Sequence, residues 1–335
     1  MTGRQAGSGH ASDRFSHTAV IIDSDRSLRT VLVPELRRSL QGREPVLMVV
    51  SDHTAAVVRP ELGVRSRDLQ WDDPTAFYQR LGFAYENFRR YLADQHTAGQ
   101  RVHIVAEPDV TTGRDPDASV DRAAAYLAYE SACNDTYAPY GSAVTCIWDS
   151  RRYPGRIIDG VRSVHQYELS ENGPFPSRTY QTPEKYLAAR NDIPLDDVPR
   201  AVDQDLQFVD VTELGRLRAA LRSSIDRHPF SEQAADDIIL AATEIAANGL
   251  AHGAAPVRVR VWHHGDALVV QLDDQGGQPL PPDAGYRRPD RGETPGGRGL
   301  WVARQLADTV TTHTGPDHTS VRLHFPREVT NRNPA

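Results

Sequence analysis

Residues 243–253 read TEIAANGLAHG. They lie in a helical pattern over 231–252 in which Ile238, Ala242, Ile245 and Gly249 form a stripe suited to face a sheet. Beside it Glu244, Asn248 and His252 recur every fourth residue, so a carboxylate, an amide and an imidazole share one face. Asparagine is a poor helix former, and an interior glycine costs about 1 kcal/mol relative to alanine. Asn248 followed by Gly249 therefore indicates that close approach of another group matters here more than helix stability. Taken alone, the stripe reads equally as a solvated polar edge.

Two segments follow in order. In LDDQGGQPLPP (272–282) a strand ends in Asp273-Asp274, and Gly276 and Gly277 allow the turn. Such a turn is ordinary; in a site, Asp274 would accept an exocyclic amine, with Gly276 keeping the space beside it clear. In PGGRGLWVARQLAD (295–308), Gly296, Gly297 and Gly299 open a helix with apolar Leu300, Val302, Ala303 and Leu306. The unpaired N–H groups and the dipole of a helix N-terminus both favour an anion. Between them, PPDAGYRRPDRGETP (281–295) has no periodicity and reads as a mobile lid.

The surrounding pattern predicts a strand at 206–212, helices at 213–227 and 231–252, and strands at 257–263 and 267–274. A loop (275–297), a helix (298–308) and a final strand (319–325) complete it. Nearly contiguous strands with helices on one face predict α+β. Upstream, buried strands at 17–22, 45–50, 101–107 and 143–149 alternate with helical stretches at 28–42, 75–95 and 121–135. That alternation predicts an α/β domain with a parallel sheet covered on both faces. Residues 191–205, acidic with Pro194 and Pro199, read as a linker. The expected order is a leader (1–14), a first domain (15–190), the linker (191–205), a second domain (206–327) and a tail (328–335).

Bulk properties agree. A chain of 335 residues suits two domains. A formal charge of −7 argues against nucleic acid as the main partner, because phosphate contacts need a basic face. No run approaches the roughly 18 apolar residues of a membrane span, and the polar leader is no signal peptide. The two cysteines, Cys133 and Cys146, imply no disulfide framework and suit a reducing cytoplasm. Nothing basic adjoins them in sequence, so both read as small core residues rather than a redox pair. Lys185 is the sole lysine, which excludes a P-loop and the strand lysine of eukaryotic-type kinases and argues against a pyridoxal Schiff base.

The order E-x3-N on a helix, strand, D-x-G, lid, G-G-R-G-L into a helix, then Thr319 on a strand resembles the GHKL (Bergerat-fold) ATP-binding domain. The likeness is closer to its anti-sigma-factor/serine-kinase branch, through Glu244-IAA-Asn248-GLA-His252 and Gly296-Gly297-Arg298-Gly299-Leu300 with Asp308, and covers about 206–327. It implies a two-layer α+β sandwich, with ATP and Mg²⁺ as cofactors. Asn248 is then the Mg²⁺ ligand, Glu244 the general base, and Asp274 the acceptor of the adenine amino group, with Gly276 beside it. Gly296, Gly297, Gly299 and Leu300 border the phosphates, His252 and Arg298 offer side-chain contacts to them, and Thr319 belongs to the closing strand. Two positions depart from the family pattern: Gln278 where glycine or proline is usual, and His318 where G-T-x-V has its glycine.

Residues 15–190 resemble the MEDS sensory domain, a RecA-like α/β module without a P-loop. The likeness rests on SHTAVII, RVHIVAEP, YESACN and CIWDSRRYP. His17, Glu107, Glu130, Asn134, Asp149 and His165 are its candidates for an unknown small-molecule ligand, at the strand ends or helix faces where open α/β sheets bind. Capping or surface roles are the plain alternative. Together the likenesses imply an ATP-dependent cytoplasmic regulator. It would hold a sigma factor or a STAS-type anti-sigma antagonist and phosphorylate a serine or threonine on the antagonist, gated by the sensory domain. A homodimer is compatible with it. A sensor histidine kinase would need an accepting histidine on a two-helix hairpin, whereas only one helix fits upstream and His228 is followed by Pro229. A non-catalytic, ATP-bound sequestering regulator is the third reading.

Overall fold

A computed structural model describes residues 15–42, 44–110, 116–228, 230–276, 280–289 and 298–326. The chain forms two compact units, one comprising residues through Pro74, Phe88–Asp109 and Cys133–Tyr180, the other Thr75–Asn87, Val110–Ala132 and residues from Gln181 onward.

The first unit holds a seven-stranded sheet: β1 (Ser16–Ile22), β2 (Val46–Val49), β3 (Gln70–Asp72), β4 (His103–Ala106), β5 (Ala143–Asp149), β6 (Tyr167–Ser170) and β7 (Gly173–Pro176), in the order β3-β2-β4-β5-β1-β6-β7. All pairings are parallel except the β6–β7 hairpin. β2 and β4 are buried along their whole length, as expected of strands covered on both faces. The helices that concern the sites are α1 (Val33–Gly42), α2 (Asp52–Leu62), α3 (Leu81–Thr97), α4 (Pro116–Thr136) and α5 (Gly155–Val164). One core packs Leu28, Leu32 and Leu36 against Val20, Met48, Val105 and Ile147.

In the second unit, after α6 (Pro183–Asn191), come β8 (Gln204–Phe208), α7 (Leu214–Ile225), α8 (Glu232–His252), β9 (Val257–His264), β10 (Ala267–Asp274), α9 (Arg298–Leu306), β11 (Thr309–Thr314) and β12 (Thr319–Pro326). The strands form an antiparallel sheet in the order β11-β12-β10-β9-β8. One core joins Ile238, Ala242 and Ile245 of α8, Leu217 and Leu221 of α7 and Leu300 and Ala303 of α9 to Val259, Val270, Leu272 and Leu323 of the sheet. Fold class is thus as expected: an α/β unit and an α+β unit with helices layered on an antiparallel sheet.

In this division residues 75–87, 110–132 and 181–205 belong with the C-terminal sheet. Within that unit Arg122 forks onto Asp308, its Nε 2.9 Å from both carboxylate oxygens and its Nη2 2.8 Å from Oδ1. Both side chains are only 6% exposed, and Arg122 Nη2 also donates to the carbonyl of Tyr78 at 2.6 Å. Removing one partner of such a buried pair costs about 3–5 kcal/mol, because the other charge is then left buried without a partner. Asp308 closes the G-G-R-G-L motif, and its carboxylate is committed here. Among the described residues no helix is long and apolar enough to cross a membrane.

Candidate functional site

Helix α8 starts at Ser231, whose side chain accepts the Ala234 amide at 3.2 Å, and it seats its alanine and isoleucine face on the sheet. Glu244 and Asn248 lie half-buried on the neighbouring stripe, while His252, in the last helical position, is exposed. Gly299 in the first turn of α9 packs directly on Asn248: a Cβ at Gly299 would overlap the Asn248 carboxamide. The first and third motifs are therefore in contact, and a larger residue at 299 would force the Asn248 carboxamide to move.

The second motif resolves into two unlike aspartates. Asp273 is consumed by its neighbours: Arg260 donates to Oδ2 at 2.5 Å, while Gln271 at 2.8 Å and Ser320 at 2.6 Å donate to Oδ1. Asp274, at the end of β10, instead takes the Gly276 amide on Oδ1 at 2.8 Å. Burial pushes its carboxyl above the ordinary value of 3.8, against the pull of the Gly276 and Ala254 amides. A Cβ at Gly276 would come within 2.8 Å of both that oxygen and the Gly253 Cα, so the turn closes tightly around the carboxylate. Thr319 is buried and pairs directly opposite Asp274 in the β10–β12 register. His318, the departure from G-T-x-V, is exposed, packs on Gly315 and lies within electrostatic reach of Asp274.

Other expected positions fall differently. Arg298 is exposed at the start of α9, whereas Leu300 belongs to the hydrophobic core. Gly296, Gly297 and Gln278 lie outside the described residues. The expected mobile lid is in part docked: in 280–289, Arg304 of α9 places its guanidinium 3.9 Å from the Tyr286 ring centroid and donates to the Ala284 carbonyl at 3.2 Å. Tyr286 is only 7% exposed, an anchor the absence of periodicity conceals.

The sensory-domain candidates divide as well. Glu107 accepts from the Ser51 amide at 3.0 Å and hydroxyl at 2.7 Å, bracing the N-cap of α2. Asp149 is 2.6 Å from Arg151; burial raises its pKa, but the bonds from Arg151 outweigh that and hold it low. These two have the structural roles named as their alternative. Glu130 and Asn134 are buried a helical turn apart on α4, and Asn134 Nδ2 donates to the Val164 carbonyl at 2.8 Å, beside His165. His17 and His165 are fully buried with rings 3.9 Å apart. Both cysteines are buried core residues outside any disulfide, as expected, but the premise that nothing basic adjoins them fails: His17, far away in sequence, lies 3.5 Å from each sulfur.

Comparison with known proteins places these features. Residues 16–166 match the family model described as MEDS: MEthanogen/methylotroph, DcmR Sensory domain, and residues 209–325 match that of the histidine kinase-like ATPase domain. No curated protein matches. Among solved structures, the RsbU and RsbW domains of Rv1364c from Mycobacterium tuberculosis align at 19% identity with a TM-score of 0.28, covering 37% of this chain and 32% of that one. The alignment thus takes in less than half of the mycobacterial chain. The histidine kinase domain of the E. coli osmosensor EnvZ aligns at 19% identity with a TM-score of 0.24, covering 41% of this chain and 96% of that one.

Proposed function

For a chain that carries a MEDS sensory domain and a histidine kinase-like ATPase domain, we propose an ATP-dependent regulator of the anti-sigma type. It transfers phosphate to a serine or threonine of an antagonist protein. The observation that carries the reading is the contact of Gly299 with Asn248, which brings the glycine-opened helix N-terminus onto the polar stripe of α8. A triphosphate there meets backbone N–H donors on one side and hard oxygen donors on the other. The Asn248 carboxamide oxygen would suit Mg²⁺, a hard cation that would offset the charge of the phosphates. Asp274, anchored by the Gly276 amide, supplies the acceptor for the adenine amino group. Asp273 is already committed to Arg260 and Ser320.

In the transfer, the oxygen of the partner's hydroxyl attacks the γ-phosphorus. The bond from that phosphorus to the β-bridging oxygen breaks, ADP leaves, and the hydroxyl proton passes to Glu244. Binding of a small molecule in the MEDS domain biases whether the ATPase domain engages a sigma factor or its antagonist.

The test mixes the full-length protein, labelled ATP, Mg²⁺ and candidate antagonist proteins. Acid-stable label on a partner serine or threonine is expected. Glu244→Ala should cut transfer by about 10²–10⁴-fold while ATP affinity changes little. Acid-labile label on the chain itself overturns the proposal in favour of histidine transfer, and absence of ATP binding overturns it outright. His318 beside Asp274 favours a second reading, a slow site that only sequesters a partner; nucleotide binding with no transfer to any antagonist supports that one instead.

A further inference from the structure

Three side chains that the nucleotide site does not use meet in the N-terminal sheet. Cys146 of β5 pairs with Ala19 of β1, and His17 lies two residues before Ala19, so His17 and Cys146 leave the sheet on the same face. His165 follows α5 and precedes β6. All three are buried, with relative exposures of 0%, 2% and 0% for His17, Cys146 and His165. Their donor atoms lie within 4.8 Å of one another.

His165 is oriented. Its Nδ1 stands 2.7 Å from the Val161 carbonyl oxygen, which can only accept, so Nδ1 bears the proton and the neutral ring keeps its lone pair on Nε2. This is how metal-bound histidines are held, one nitrogen fixed by a carbonyl and the other presented to the ion. The spacing agrees. Tetrahedral zinc with ordinary Zn–N and Zn–S bonds sets its nitrogen and sulfur ligands about 3.6 Å apart, and His17 Nε2 is 3.5 Å from Cys146 Sγ. A thiol–imidazole hydrogen bond spans a similar distance. It would not account for a third buried donor with its tautomer already set.

We propose that His17, Cys146 and His165 bind one divalent transition-metal ion of the zinc type inside the sensory domain. Two imidazoles and a thiolate suit a borderline-soft ion and not Mg²⁺ or Ca²⁺. On binding, the Cys146 sulfur gives its electron pair to the ion and its proton leaves to solvent, while both histidines coordinate as neutral rings. Cys133 is also near His17, its sulfur 3.5 Å from Nδ1 and 3.7 Å from Nε2, but it falls outside the cluster whose donor atoms all lie within 4.8 Å of one another. Glu130 lies three residues before Cys133 on α4, so helical periodicity sets a carboxylate on the same side of that helix.

The experiment uses the full-length protein, stripped with a chelator and titrated with Zn²⁺ or Co²⁺ alone. Roughly one equivalent of Zn²⁺ per chain should be retained, and Co²⁺ should give a thiolate-to-cobalt charge-transfer band with tetrahedral visible transitions. Cys146→Ser should remove that band, and His165→Asn should weaken binding roughly tenfold or more. Cys133→Ser should leave the band in place. Because proton release accompanies binding, affinity should fall as pH drops. A folded wild-type chain that retains no zinc and shows no cobalt spectrum overturns the proposal. So does a band that survives Cys146→Ser, or one abolished by Cys133→Ser. None of these readouts depends on ATP turnover, so the proposed kinase activity and the metal site can fail separately.

Discussion

Two helices of this chain carry the same pair at the same spacing, Glu130 and Asn134 on α4 and Glu244 and Asn248 on α8. On α8 both residues are half-buried, and Asn248 lies against Gly299 at the start of α9. On α4 both are buried, with exposures of 3% and 5%, and the Asn134 amide is spent on the Val164 carbonyl. Spacing along a helix decides which side chains share a face. What that face meets is decided by segments far away in sequence. At α8 those segments bring glycines against Asn248 and Asp274; at α4 the Val164 carbonyl takes the Asn134 amide.

The largest effect should come from crowding Asn248 on α8. Gly299→Ala puts a Cβ into the Asn248 carboxamide, so the amide must rotate away from the phosphates. ATP·Mg²⁺ affinity should fall about 100-fold, equivalent to about 2.7 kcal/mol, while thermal unfolding stays cooperative. Calorimetry with and without Mg²⁺ measures the loss. A stable variant with unchanged affinity would show that Gly299 does not define the site.

Truncating the two asparagines sharpens the contrast. Asn134→Ala leaves the buried Val164 carbonyl without its donor and should cost about 1–3 kcal/mol of stability, read by urea denaturation, with ATP affinity unchanged. Asn248→Ala should do the reverse, weakening Mg²⁺-dependent ATP binding while stability stays within about 0.5 kcal/mol. If the two variants behave alike, the two helices are not different devices.

Much of this was legible in the sequence. The period-2 and period-3.6 runs place the long helix α8, strands β9 and β10 and the helix α9 within a residue or two, because each is long and bounded by turn residues. β11, TVTTHT, escapes because its short run of alternating threonines begins only two residues, Ala307 and Asp308, after a helix. The choice between Asp273 and Asp274 was not available from spacing. It depends on Arg260 and Ser320, which reach Asp273 across neighbouring strands. Likewise, Arg122 and Asp308 are 186 residues apart, and His17 is 129 residues from Cys146. No local pattern encodes such pairings, so the segments joined to the C-terminal sheet and the histidine–cysteine cluster emerge only with the fold. The likeness to the GHKL domain supplied the order of the motifs; the geometry supplied their contact.

The smallest effect tests whether the units share a property despite their different sheets. Each contains a histidine whose burial disfavours the charged form. His103 on β4 in the first unit is lowered to about 4, its ring held between Ser39 and Thr145 at 2.8 Å each. His324 on β12 in the second unit is lowered to about 4 by burial, then by Arg322 and His264. An unfolded histidine titrates near 6.5. Above that pH both states are neutral and stability is flat. As pH falls from 6.5 toward 4 the unfolded chain gains a proton that the folded chain refuses, so stability declines by up to about 1.4 kcal/mol per pH unit for each histidine. Hydrogen exchange of β4 and β12 amides at several pH values, corrected for intrinsic rates, separates the units. Both slopes should match over this window, and His103→Gln should flatten the first without altering the second. A first unit that gains stability on acidification would mean that its buried histidines bind protons on folding, which would break the parallel between the two sheets.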